Sequence, residues 1–307
     1  MEQPLIKSPL NYTGGKFKLL PQILPLFPNK IENFFDIFCG GLNVALNTKS
    51  KKLFCIDSNQ NIIKLYKYFL STELNEIINT IEKIITHYNL SNSKTMGYDY
   101  YQCNSSEGLS SYNKKNFNKL KVDYNNSKYN GFNENALFYV LIIFSFNNQI
   151  RFNKKNQFNM PSGKRDFNKN IEKNLINFIK KIQISNIYFE FNDYTSILNN
   201  NNLNNENSFV YVDPPYLIST ATYNESNGWN EYKEQQLLDF LSKINENNIK
   251  FALSNVIEHK TKFNHILLNW FNKNSFNIYY LKNSYNNSSY HGKSKDEISK
   301  EVLITNY

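Results

Sequence analysis

"NFFDIFCGGLNVALNTKSKKLFCID", residues 33–57, is the stretch that decides the fold. Its opening, "NFFDIF" (33–38), is aromatic and β-branched and predicts a short buried strand. The run stops at Cys39-Gly40-Gly41, where backbone lacking a Cβ can turn sharply and come close to a ligand. "NVALNT" (43–48) then reads as the start of a helix, and "KLFCID" (52–57) as a second buried strand. Just beyond, "NIIKLYKYFL" (61–70) sets Ile63, Tyr66 and Lys67 on one helical face that Leu70 continues. Strand, glycine turn, helix and strand in that order open a doubly wound α/β fold.

After about residue 60 the alternation stops. "ELNEIINTIEKIITHY" (73–88) is an amphipathic helix, residues 97–131 are polar and tyrosine-rich, and "NENALFYVLIIFSFN" (133–147) is a strongly apolar helix. "QIRFNKKNQFNMPSGKRDF" (149–167) alternates around a polar centre, as a β-hairpin does. Strand signals resume with "NIYFEFND" (186–193), "SFVYVD" (208–213), "KFALSN" (250–255), "FNIYYLK" (276–282) and "EVLITNY" (301–307). Helices are predicted at "EYKEQQLLDFLSKI" (231–244) and "HKTKFNHILLNWF" (259–271), and loops at 199–207 and 283–297. The expectation is an α/β domain over 1–58 and 170–307 with about seven strands, interrupted by a mainly helical insertion, 59–169, that carries the hairpin at 149–167.

The net charge of +9 favours polyanionic partners such as nucleic acid, although a generally lysine-rich composition gives the same balance. Cys39, Cys55 and Cys103 form neither a metal spacing nor a disulfide framework, which points to a reducing compartment. No apolar run reaches the roughly 18 residues of a membrane helix, and "MEQPLIKSPL" (1–10) lacks signal-peptide anatomy. These features predict a soluble, cytoplasmic protein. His87, His259, His265 and His291 are scattered, so no metal or histidine-based site is expected.

Ligands of open α/β sheets sit beyond the carboxyl ends of the strands. Gly40-Gly41 lies at one such end, and Asp57, at the end of the next strand, is where an acid meets ribose hydroxyls. Alone, these leave a nicotinamide site and a methyl-donor site both open. "FVYVDPPYLIS" (209–219) separates them. Two prolines cannot continue a strand, and they leave carbonyls free of competing donors. Asp213 adds a carboxylate beside the Pro214 carbonyl, and Tyr216 adds a flat face. Two acceptors and a ring form a clamp for an aromatic NH₂ group.

With these motifs the sequence resembles the DNA adenine-N6 methyltransferases of the Dam type (D12 class), phage members above all. "PLNYTGGKFKLLPQI" (9–23) is similar to the family's methyl-donor motif and "FFDIFCGGLNVALN" (34–47) to its glycine motif, with Leu42 where the common form has glycine. "NNQIRFNKKNQFNMPSGK" (147–164) resembles the DNA-contacting segment, "VDPPYLISTATYNESNGWNE" (212–231) the catalytic motif and its following loop, and "EISKEVLITNY" (297–307) the closing strand. The resemblance implies the class I S-adenosylmethionine-dependent methyltransferase fold. It implies S-adenosylmethionine as methyl donor without a metal, held by Tyr12, Lys16, Phe38, Gly40, Asp57 and Asp213. Asp213, Pro214 and Tyr216 become the catalytic set, acting on an adenine rotated out of double-stranded DNA, with GATC as implied site. Tyr223 and Trp229 become candidates to fold over that base.

The two arginines of the chain, Arg151 and Arg165, both fall in 149–167, with Lys154, Lys155, Lys164 and Lys169 against the single acid Asp166. Arginine is the better reader of guanine, so Arg151, Lys154, Asn159, Lys164 and Arg165 are the expected DNA contacts, with Arg151 reading a base. A restriction enzyme acting on the same site is an implied partner, and the expected state is a monomer or weak dimer. Cytosine N4, RNA adenine or a glutamine amide would offer the same NH₂ group; Asp at 213 and the hairpin likeness favour DNA adenine. A DNA-binding module with lapsed catalysis remains the non-enzymatic alternative.

Overall fold

The computed structural model describes residues 4–12, 14–103, 108–218, 228–282 and 299–307. Tyr223 and His291 lie outside the described residues. Along the chain come α1 (Leu20–Ile23), β1 (Asn33–Asp36), β2 (Lys52–Asp57), α2 (Gln60–Ser71), α3 (Leu74–His87), α4 (Ser93–Met96), α5 (Ser110–Asn125), α6 (Glu134–Phe144) and α7 (Lys169–Ile184). Then follow β3 (Ile187–Phe191), β4 (Ser208–Val212), α8 (Glu231–Glu246), β5 (Lys250–His259), β6 (Lys262–Phe263), α9 (His265–Lys273), β7 (Asn277–Leu281) and β8 (Ser299–Thr305). Asparagine starts many of the helices: Asn59, Asn133, Asn168, Asn230 and Asn264 each accept a backbone N–H of the first turn. A side-chain oxygen at that position satisfies an orphan donor.

Two compact units emerge, Lys16–Ser58 with Asn186–Tyr307, and Met1–Gly15 with Asn59–Ser185. One boundary falls between Ser58 and Asn59, and residues 4–12, 14–15 and α7 group with the helices rather than with the sheet. For α7 the reason is its apolar stripe, Leu175, Phe178, Ile179 and Ile182, with the Phe178 ring against Tyr66 and Phe69.

The sheet unit orders its strands β3-β2-β1-β4-β5-β8-β7, with the two-residue β6 paired to β5. The first five run parallel, and β8 is antiparallel to both β5 and β7. This is the mixed, mainly parallel sheet of a class I methyltransferase. Its core joins Phe35, Ile37, Phe54, Ile56, Val210 and Val212 to Leu237, Leu241 and Trp270 of α8 and α9. "NVALNT" forms only a 3₁₀ turn, Ala45–Asn47, not a helix. The Asn47 amide and Thr48 hydroxyl bond back to the carbonyls of Asn43 and Val44, a competition that ends helices. Likewise 259–263 extends β5 and forms β6, so the predicted helix begins only at His265.

In the helical unit, α6 is buried on every side from Ala136 to Phe144, as a core helix must be. The predicted hairpin at 149–167 contains no regular strand; it is reduced to isolated antiparallel bridges, Phe152 with Phe158 and Ser145 with Ser162. Side chains of α5 take over the role of a neighbouring strand. The Asn125 amide accepts from the Phe158 N–H (2.8 Å) and donates to its carbonyl (3.0 Å). Lys121 donates to the Met160 carbonyl, and Ser110 and Ser162 exchange hydroxyl-to-carbonyl bonds. On the other edge, the Gly163 N–H meets the Phe144 carbonyl at 2.7 Å. A Cβ at Gly163 would lie 2.2 Å from the Ser145 carbonyl oxygen. Gly163→Ala is therefore expected to destabilise the protein by about 3 kcal/mol or more, read as a shift in denaturant midpoint.

Candidate active site

Strand β1 is the topological switch point, flanked in parallel by β2 and β4. The carboxyl ends of these three strands carry Asp36, Asp57 and Asp213. Just past β1, Gly40 has φ +41° and donates its N–H to Asp57 Oδ2 at 2.9 Å. Asp57 thus braces the glycine turn from the next strand. Leu42, where the family's common form has glycine, sits at φ +59°, is fully buried, and donates to the Cys39 carbonyl at 2.7 Å. The left-handed turn is kept without glycine, at a cost of about 1 kcal/mol that burial of the leucine offsets.

The Phe38 ring stacks on Tyr194 at 5.4 Å and meets Trp229 edge-on at 5.7 Å. The Trp229 indole N–H donates to the buried Glu234 carboxylate, which also accepts from Asn255 (3.0 Å) and Asn264 (2.8 Å). The chain after the Pro-Pro turn is thus pinned where it enters α8. Asp36, which sequence reasoning passed over, is buried between Asp57 and Asp213, and its Oδ1 has no hydrogen-bond partner among the described residues. Burial, then the two neighbouring carboxylates, push its pKa well above the ordinary value.

Asp213 is the centre of the arrangement. Its Oδ1 lies 2.8 Å from Lys16 Nζ and 3.2 Å from the Tyr216 hydroxyl. Its Oδ2 carries no hydrogen bond among the described residues, and the side chain is 19% exposed. Nor does the Pro214 carbonyl receive a donor there. Burial raises the Asp213 pKa, and Lys16 opposes the shift. Lys16, itself 3% exposed, sits 5.0 Å over the Tyr216 ring and 3.5 Å from Glu301. Tyr216 donates most closely to Glu301, at 2.9 Å. Sequence reasoning missed Glu301, because only the antiparallel register of β8 brings it beside Val256, at the carboxyl end of β5.

The remaining predicted residues lie in the helical unit. Tyr12 is half-buried, and its carbonyl accepts from the Gly15 N–H in a turn with Gly14 at φ +78°. Arg151 is exposed and forks onto Asn159, Nε to Oδ1 at 2.8 Å and Nη2 to the carbonyl at 3.1 Å. Lys154, Lys164 and Arg165 are exposed. Asp166, the one acid of the segment, is fully buried and accepts from the Ser91 and Ser93 hydroxyls and the Ser93 N–H. The exposed charges of 149–167 are therefore all positive.

A mainly parallel sheet with an antiparallel strand inserted before its edge, a braced glycine turn at the switch point, and Asp-Pro-Pro-Tyr on the adjoining strand are the features of the class I methyltransferase fold. The profile of the D12 class N6 adenine-specific DNA methyltransferases matches residues 12–287, and the chain belongs to that family. It is 42% identical over 309 residues to modification methylase StsI of Streptococcus sanguinis, covering 98% of this chain and 43% of the relative. It is 39% identical to type II methyltransferase M.FokI of Planomicrobium okeanokoites, with coverage again of 98% and 43%. Identity to the DNA adenine methylase of Escherichia coli K12 is 24%, covering 94% of this chain and 92% of that enzyme. The chain thus spans under half the length of the first two relatives, and it is more like these modification methylases than like that DNA adenine methylase. Among the described residues no helix is long and apolar enough to cross a membrane, and no cluster of metal-ligating side chains occurs.

Proposed function

We propose that this chain methylates N6 of an adenine everted from duplex DNA. The observation that carries the reading is the state of Asp213, one oxygen anchored by Lys16 and the other without a donor among the described residues, beside the open Pro214 carbonyl. Adenine N6 is a poor nucleophile because its lone pair is delocalised into the ring. Two acceptors on its hydrogens favour the tetrahedral nitrogen of the transition state. As N6 gains a methyl it must shed one proton. The Asp213 carboxylate is the acceptor at hand, and burial, which raises its pKa, makes it the stronger base.

S-adenosylmethionine supplies the methyl group as a sulfonium. The residues suit such a donor: carboxylates at adjacent strand ends for a cation and for hydroxyls, a glycine turn that leaves room, and the Phe38 ring beside Tyr194 and Trp229 for a planar base. Tyr12, Lys16, Phe38, Gly40, Asp57 and Asp213 are proposed to hold it, and the Tyr216 face to meet the target adenine. The test is digestion of duplex DNA to nucleosides after incubation with labelled donor. N6-methyladenine supports the reading; N4-methylcytosine, or methylation of RNA alone, overturns it. A lapsed enzyme would yield no product and bind donor poorly in calorimetric titration.

For sequence recognition we propose the exposed basic segment, Arg151, Lys154, Asn159, Lys164 and Arg165. Asn159 uses two atoms of the Arg151 guanidinium and leaves its outer edge pre-oriented, which lowers the entropic cost of a bidentate base contact. Arg151→Ala is expected to cost about 1–3 kcal/mol of binding and to blur one position of the site. Asn159→Ala should blur the same position, and the double variant should lose less than the sum. Uniform weakening on all sequences would instead mark Arg151 as a phosphate contact. The Dam-type resemblance makes GATC the first target to try. The greater identity to modification methylases makes randomised duplex the proper competitor, and supports a restriction enzyme as functional partner.

A further inference from the structure

We propose that Glu301 is a positioning residue of this site: it gives Lys16 a second carboxylate on which to rest, so that Lys16 can release Asp213 to an incoming amine. The proposal rests on the methyl-transfer reading above. Lys16 Nζ lies 2.8 Å from Asp213 and 3.5 Å from Glu301, and the Lys16 and Glu301 side chains are each 3% exposed. A buried ammonium leaves one carboxylate at lower desolvation cost when a second lies within reach. With Glu301 in place, a displacement of about 1 Å brings the ammonium to charge-assisted distance of the other acid. Glu301 also receives the Tyr216 hydroxyl at 2.9 Å, closer than Asp213 Oδ1 at 3.2 Å. A phenol has one hydrogen, so the bond to Glu301 fixes the ring without spending an oxygen of Asp213.

Two carboxylates facing one ammonium also set the charge of the site. Asp213 is faced by Lys16, Glu301 from β8, Tyr216 from its own turn, Tyr211 from β4 and Asp36 from β1. Glu301 is a like charge and raises the Asp213 pKa. Its removal must lower that pKa, and takes away the second carboxylate within reach of Lys16. Both effects reduce the capacity of Asp213 to accept from an amine.

The test is Glu301→Gln, which keeps the shape and an acceptor for Tyr216, with Glu301→Asp as the conservative companion. In donor-free protein, carboxyl ¹³C NMR follows the Asp213 titration, assigned by difference against Asp213→Asn. The titration is expected to move to lower pH in Glu301→Gln. On duplex DNA with donor, kcat should fall about 10–100-fold, with KM for DNA held within about threefold and the acid limb of the kcat profile moved to lower pH. Glu301→Asp should recover part of kcat. An unmoved titration, with a kcat loss that follows a loss in Tm, would overturn the proposal and leave Glu301 a packing residue. Wild-type kcat in Glu301→Gln would overturn it as well. If the wild-type chain proves inactive on adenine while the titration still moves, the electrostatic linkage stands and the functional reading falls.

Discussion

Asp213→Ala should fold and should lose methyl transfer by about 10²–10³-fold or more, the scale set by deleting one preorganised polar group that meets the transition state. The fold should survive because Lys16 keeps a buried partner: Glu301 is already 3.5 Å away, and Tyr216 already donates to it. The loss should appear in kcat, since Asp213 Oδ2 is the open acceptor and the proposed DNA contacts are other residues, within 151–165. Circular dichroism with single-turnover methylation separates the two effects. Near-normal turnover with an intact fold would refute the clamp.

Lys16→Met should be the most destabilising change in the site. It removes the ammonium that lies 2.8 Å from the Asp213 carboxylate and 3.5 Å from that of Glu301. Removing one partner of a buried ion pair costs on the order of 3–5 kcal/mol. The pH dependence follows from the direction of the Asp213 shift. Burial already raises its pKa above 3.8, and Lys16 is the main force holding it down. Without Lys16 the folded pKa climbs further, so the folded variant binds more protons than the unfolded one. Stability is then fullest below the ordinary carboxylate value and is lost as pH rises through the raised one. The Tm deficit against wild type should widen with rising pH above 3.8. A deficit independent of pH would mean that only the packing of the lysine stem matters.

Much of the sheet was legible because its strands are buried on both faces and read as apolar runs, "LFCI" and "FVYV" among them. The loops that end them were legible through glycine and proline chemistry. What escaped had a physical reason in each case. Helix α5 carries its buried stripe at 113, 117, 120 and 124, but two of the buried positions, Asn113 and Asp123, are polar. Asn113 is satisfied inside by Ser91, so a polar letter hid a core position. The 149–167 segment read as a hairpin because its alternation is real. Its partner, however, is the side-chain array of α5 rather than a second strand. At the site, Asp57, Asp213 and Tyr216 follow from strand ends, where local pattern suffices. Glu301 and Asp36 do not, because their roles depend on which strands become neighbours.

The order of synthesis gives the interrupted sheet a further consequence. β1 is hydrogen-bonded to β2, its neighbour in sequence, and to β4, made some 170 residues later. At about 5–20 residues per second the wait is on the order of ten seconds or more. Throughout that interval a pair of apolar strands presents an unpaired edge to solvent, the kind of surface on which nascent chains stick to one another. Yield of active protein should therefore depend on chaperone supply and translation speed more than the stability of the finished molecule would suggest.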